Sequence, residues 1–198
     1  MNNSENPLDM WCEDSKNNKQ VFHYDTMINS NRIYYKLSGR EGNFIATAMV
    51  NEIDRNNSMY KTKFDEMDNL QKYSIDKLGV FSSYTNIGVM TVMLCDILLT
   101  ILDRKHSYKH NFLIYLRDIS NTPEKDVNVY QSVLPNYKKR KVKMSDDCIE
   151  VKGDANNDVF YLFSKNTRTK DIEYYRHLRE KKLKKIKHFL NTSNNNNI

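Results

Sequence analysis

Residues Ile87–Leu102 read IGVMTVMLCDILLTIL, and this stretch decides the fold. Its sixteen residues are apolar almost throughout, with Asp96 the single charge. A membrane-spanning helix needs about 20 such residues, and a carboxylate at its centre would be costly there. A helix that is apolar nearly all round belongs instead in the middle of a fold, covered by other elements. The run therefore predicts a buried central helix over 87–102, with Cys95 packed as a small hydrophobe.

Working upstream, Phe44, Ile45, Ala48, Met49, Glu52 and Ile53 recur at helical spacing behind Asn43, a residue suited to capping. Tyr60, Phe64, Met67, Leu70 and Tyr73 form a second stripe, with Lys61, Asp65, Glu66 and Asp68 outside it and Gly79 as its stop. Two amphipathic helices, 43–55 and 59–78, are thus expected to flank the central one. Residues 21–37 contain VFHY, just after Gln20, and RIYYKL, whose aromatic and β-branched enrichment predicts short strands.

Downstream, NFLIYL (111–116) and VNVYQSVL (127–134) read as extended, punctuated by Pro123 and Pro135. Cys148–Lys152 and Val159–Phe163, joined by the turn residues of 153–158, read as a β-hairpin. A last helix is expected over Asp171–Leu190. Ile172, Tyr175, Leu178, Leu183 and Ile186 make its apolar stripe, acids sit in its first turn, and lysines lie near its end. The sum is a single α+β domain with short antiparallel strands over 21–190. A mobile arm (1–20) precedes it and an Asn-rich, disordered tail (191–198) follows.

The net charge of +6 is unevenly placed. Residues 136–198 carry sixteen Lys and Arg against eight Asp and Glu, so the rest of the chain is slightly acidic. One basic segment is Lys138, Lys139, Arg140, Lys141 and Lys143. The other is Arg176, Arg179, Lys181, Lys182, Lys184, Lys185 and Lys187 on the last helix. The first has the composition of a nuclear-localisation or nucleic-acid patch, and both could neutralise phosphates or meet an acidic partner. The plain alternative is a solvated loop and a solvated helix face. A membrane-surface or partner-docking role for the basic amphipathic helix is a third reading.

The glycines of Gly39-Arg40-Glu41-Gly42, with Ile45 three residues past the second, are similar to the GXXG loop of KH domains. That resemblance implies nucleic-acid binding. It departs from the family where a helix should precede the loop, because Arg32–Leu37 reads as a strand, and a turn accounts for both glycines.

Other chemistry lacks its residues. Neither G-x-x-x-x-G-K-[ST] nor G-x-G-x-x-G occurs, and there is no G-x-S-x-G and no C-x-x-C. His106 and His110 stand four apart, but Ser107 occupies the place of the glutamate in H-E-x-x-H. No catalytic residue, metal site or cofactor is assigned. The three cysteines, Cys12, Cys95 and Cys148, are odd in number and widely spaced, which fits a reducing compartment.

The N-terminus lacks a basic region followed by an apolar one, so no signal peptide and no transmembrane segment are expected, and the location is read as intracellular, cytoplasmic or nuclear. Asn is abundant at 25 residues and, like Lys and Ile, has A/T-rich codons, as in large DNA viruses. The functional expectation is a non-enzymatic, viral-type accessory or structural protein acting through protein–protein interaction. Its basic segments would serve localisation or an acidic partner. Nucleic-acid binding through Lys138–Lys143 and the last helix is the alternative, and an enzyme without a recognisable motif comes third. Oligomeric state is left open.

Overall fold

The computed structural model describes residues 23–29, 31–38, 44–80, 87–117, 129–135, 148–152 and 158–193. Its strands are β1 (His23–Asn29), β2 (Arg32–Ser38), β3 (Phe44–Ile53), β4 (Gln71–Val80), β5 (Phe112–Leu116), β6 (Cys148–Glu150) and β7 (Val159–Phe163). Its helices are α1 (Val89–Leu102), α2 (Val129–Val133) and α3 (Arg168–Ser193). The strands form one sheet in the order β1-β2-β3-β4-β5-β7-β6. Every neighbouring pair is antiparallel except β4 and β5, which run parallel with α1 as the connection between them. The α+β expectation holds in this form, as a mixed sheet with three helices.

Alternation of side chains places the sheet between two apolar clusters. In β2, Ile33, Tyr35 and Leu37 point into the core while Arg32 and Lys36 stay exposed. In β5, Phe112, Ile114 and Leu116 join the main cluster under the helices, and Leu113 and Tyr115 face the other way. In β7, Phe160 and Leu162 join Leu113 on that second face. Tyr60, Met67 and Leu70, from the segment that carries two 3-10 turns (Ser58–Tyr60 and Asp65–Asn69), cover it.

Helix α1 is the centre of the main cluster, with eleven of its fourteen residues buried. Its one charge, Asp96, accepts a hydrogen bond from Nε of Arg179 on α3. Both side chains are close to fully buried. The stripe Tyr175, Leu183 and Ile186 turns α3 onto α1, with Ile172 and Leu178 packed alongside. No helix among the described residues is long and apolar enough to cross a membrane.

An aromatic chain ties the closed end of the parallel pair together. Tyr73 of β4 meets Phe112 of β5 edge-on at 6.0 Å, Phe112 stacks on Phe163 of β7 at 4.9 Å, and Phe163 reaches Tyr175 of α3 at 6.3 Å.

Four expectations are corrected. Residues 44–53 are a strand, because Ala46, Ala48 and Val50 repeat at period two between β2 and β4, and that pairing overrides the helical spacing. Residues 59–78 are two 3-10 turns followed by most of β4. Phe64, read as part of a buried stripe, is 49% exposed. Gly79 stops nothing; it lies within β4 opposite Thr47. In 127–134, read as extended, Val129–Val133 forms a short helix that buries Tyr130, Val133 and Leu134.

Other readings fare as follows. The 87–102 helix, the strands of 21–37 and 111–116, the 148–163 hairpin and the last helix are present. That helix runs on to Ser193, into the expected tail. The rest of the tail and the expected arm lie outside the described residues. The KH-like reading fails, because β2 precedes the glycine loop and β3 follows it.

Candidate functional site

The parallel pair breaks the regularity of the sheet. β4 and β5 are joined only from Gln71–Ser74 to Phe112–Tyr115. β4 then continues through Ile75–Val80, held on its other side by β3, while β5 ends at Leu116. Among the described residues, no strand lies on the inner edge of Ile75–Val80. The result is a notch at the carboxyl ends of two parallel strands. In sheets with parallel strands, that is where ligands collect.

β4 also changes its pitch at this point. Met49 pairs with Lys77 and Val50 with Ile75, so Asp76 is the extra residue of a bulge. Bulges redirect a side chain and commonly stand beside sites. Nδ2 of Asn51 donates to Oδ2 of Asp76, which fixes the direction of an otherwise exposed carboxylate.

Six residues enclose the notch: Ile75 and Asp76 from β4, Tyr115 and Arg117 at the end of β5, and Met59 and Tyr60 from the first 3-10 turn. They bound a cavity of about 250 Å³. The Tyr60 ring stands edge-on to Tyr115 at 5.0 Å. The Tyr115 hydroxyl donates to Oδ2 of Asp158. Burial, followed by the nearby Asp76 carboxylate, raises the Tyr60 pKa above the usual tyrosine value, so Tyr60 keeps its proton through the neutral range. A second cavity of about 430 Å³ adjoins the first and shares Tyr60 and Asp76 with it. Asn31, Arg32, Glu52, Asp54 and Asn57 make its walls polar. Glu52 is held from behind by Arg104 at 2.9 Å.

The site residues expected from sequence lie elsewhere. Lys138, Lys139, Arg140, Lys141 and Lys143 fall outside the described residues. On α3, Arg176, Lys181, Lys184 and Lys185 are exposed and Lys182 is half-buried. The Lys187 side chain is outside the described set. Arg179 does not belong with them: it is buried against Asp96. The apolar stripe of α3 is buried in the core, which leaves the membrane-surface reading of this helix without an apolar face to insert.

Of the cysteines, Cys95 and Cys148 are buried thiols. Burial pushes Cys95 up to about 12, far from nucleophilic character at neutral pH. Among the described residues, no group of three or more His, Cys, Asp or Glu could hold a metal ion.

Sequence reasoning missed the notch. One signal was available: in QKYSIDKLGV the apolar positions run 73 and 75, then 78 and 80, and that change of phase marks the bulge.

No protein family and no curated protein matches the chain. Among solved structures, one match is Arabidopsis thaliana NAA60 in complex with a bisubstrate analogue. It has a TM-score of 0.38 and 9% identity, and the match covers 68% of this chain and 76% of that one. That protein is an N-acetyltransferase. The expectation of a non-enzymatic, viral-type accessory or structural protein is withdrawn. At this identity and TM-score no residue role passes from it to this chain.

Proposed function

We propose that the chain binds an extended, amide-bearing small molecule in the notch beside β4 and carries out proton-transfer-assisted chemistry there. One observation carries the reading: β4 continues for six residues past its last partner in β5. A strand edge without a neighbouring strand offers backbone donors and acceptors at peptide spacing, which an amide chain can complete as an added strand. The cavity at the start of this edge is lined by aromatic walls and a few convergent polar groups, the usual make-up of a small-molecule site. Asp76 and Tyr60 supply a proton acceptor and a proton donor within it. Arg117 supplies a cation on the opposite wall.

Acetyl coenzyme A is a suitable probe. Its arm is an extended amide chain, and its phosphates suit the amino end of α1, the helix that follows β4 in the chain. Calorimetric titration of the full chain should show saturable binding. Tyr115→Ala should weaken it about tenfold or more, and Tyr60→Phe should leave affinity within about threefold of wild type. Absence of saturable binding, or an unchanged Kd in a folded Tyr115→Ala variant, would overturn the proposal.

A further inference from the structure

We propose that the outer face of α3 is a second binding surface, independent of the notch, that holds single-stranded nucleic acid through Lys181, Lys184 and Lys185 beside the ring of Tyr174. These three lysines are exposed, and Tyr174 is 42% exposed. At 3.6 residues per turn, Tyr174, Lys181 and Lys185 fall in one row and Lys184 flanks it. The row is about 16 Å long at 1.5 Å per residue, enough for several phosphates of one strand. From Lys181 to the end of α3 no carboxylate interrupts it. Glu173 and Glu180 lie about 100° round the helix from the row, on the side of Lys184, and Glu180 stands one turn before that lysine.

Three other features choose the occupant. The apolar stripe of α3 is already buried, so the face offers charge with Tyr174 as an exposed ring and no aliphatic stripe to insert, which disfavours a lipid surface. Arg179 takes no part, being paired with Asp96 in the core. The exposed tyrosine ring in line with the ammonium groups is the combination on which bases stack while phosphates are neutralised. An acidic peptide would use the lysines and leave the ring idle.

Fluorescence anisotropy of the full chain with a labelled oligothymidylate of about 15 nucleotides tests this. Binding should weaken with salt, each of three lysine–phosphate contacts adding about −0.7 to the slope of log K against log salt. Lys181→Glu, Lys184→Glu and Lys185→Glu together should lower affinity at least tenfold and flatten the slope by about 2. Tyr174→Ala should lower affinity by about fivefold or more without changing the slope. Circular dichroism checks that both variants remain folded.

Absence of oligothymidylate binding by the wild type at low salt would overturn the proposal. So would unchanged affinity in the folded triple variant. Polyglutamate competing as well as the oligonucleotide would reassign the face to acidic protein, and binding only to phosphatidylserine-containing vesicles would reassign it to lipid. Either result contradicts the proposal.

Discussion

Asp96 stands in the most apolar run of the chain and is kept there by Arg179, eighty-three residues away. A buried ion pair contributes little over an apolar replacement, but breaking it strands a charge. Asp96→Asn should therefore cost about 3–5 kcal/mol in urea denaturation, and Asp96→Leu with Arg179→Met should recover most of the loss. Asp68 and Lys72 form a second pair. Lys72 is almost wholly buried, its ammonium donating to the Asp68 carbonyl at 2.9 Å with the carboxylate at 3.4 Å. Burial lowers the Lys72 pKa, partly offset by Asp68. For Asp68, burial acts upward but is outweighed by the Thr62 N–H and by Lys72, so its pKa lies below the usual carboxylate value. A depressed acid stabilises the fold above its unfolded pKa of about 3.9, and the contribution is lost as pH falls through the folded value. Asp68→Asn should thus be less stable than wild type at pH 7, and the gap should close below about pH 4 in pH-dependent denaturation. The oddity of Asp96 was plain in the sequence. Its partner was not, because Arg179 sits among lysines that look alike until the helix is docked.

Elements marked by a long apolar run, an apolar stripe or turn residues were legible: α1, α3 and the 148–163 hairpin. β3 and β4 were not, because Ala, Met and Glu of β3 and Gln, Lys and Leu of β4 sit in either structure, and only pairing with neighbours decides between them. The same pairing produced the bulge at Asp76, so the misread element is also the one that makes the candidate site. Gly88 caps the start of α1 with φ of 105°, and a Cβ there would come within 3.3 Å of the Lys182 side chain. Gly88→Ala should cost about 1–2 kcal/mol, read from thermal unfolding. Phe112 is the middle of the aromatic chain that closes the parallel pair. Phe112→Ala should cost about 3–5 kcal/mol in chemical denaturation, and it should weaken probe binding as the strands loosen.

At the scale of the molecule, the sheet is continuous below the parallel pair and notched above it. The aromatic chain and the helices hold the closed end, and Tyr60, Asp76, Tyr115 and Arg117 line the open one. The notch could not be read from composition or motif, since it depends on where two strands stop pairing. The charge asymmetry could be read, and it points to α3, on a surface separate from the notch. The central claim is that the inner edge of β4 receives an amide-bearing ligand, and amide hydrogen exchange measured by NMR with and without acetyl coenzyme A tests it. Between Ile75 and Val80, the amides facing the notch should exchange fast in the free protein and gain protection with the ligand, while those bonded to β3 should not change. Unchanged exchange throughout Ile75–Val80 at saturating ligand, or protection appearing only elsewhere in the chain, would contradict the account.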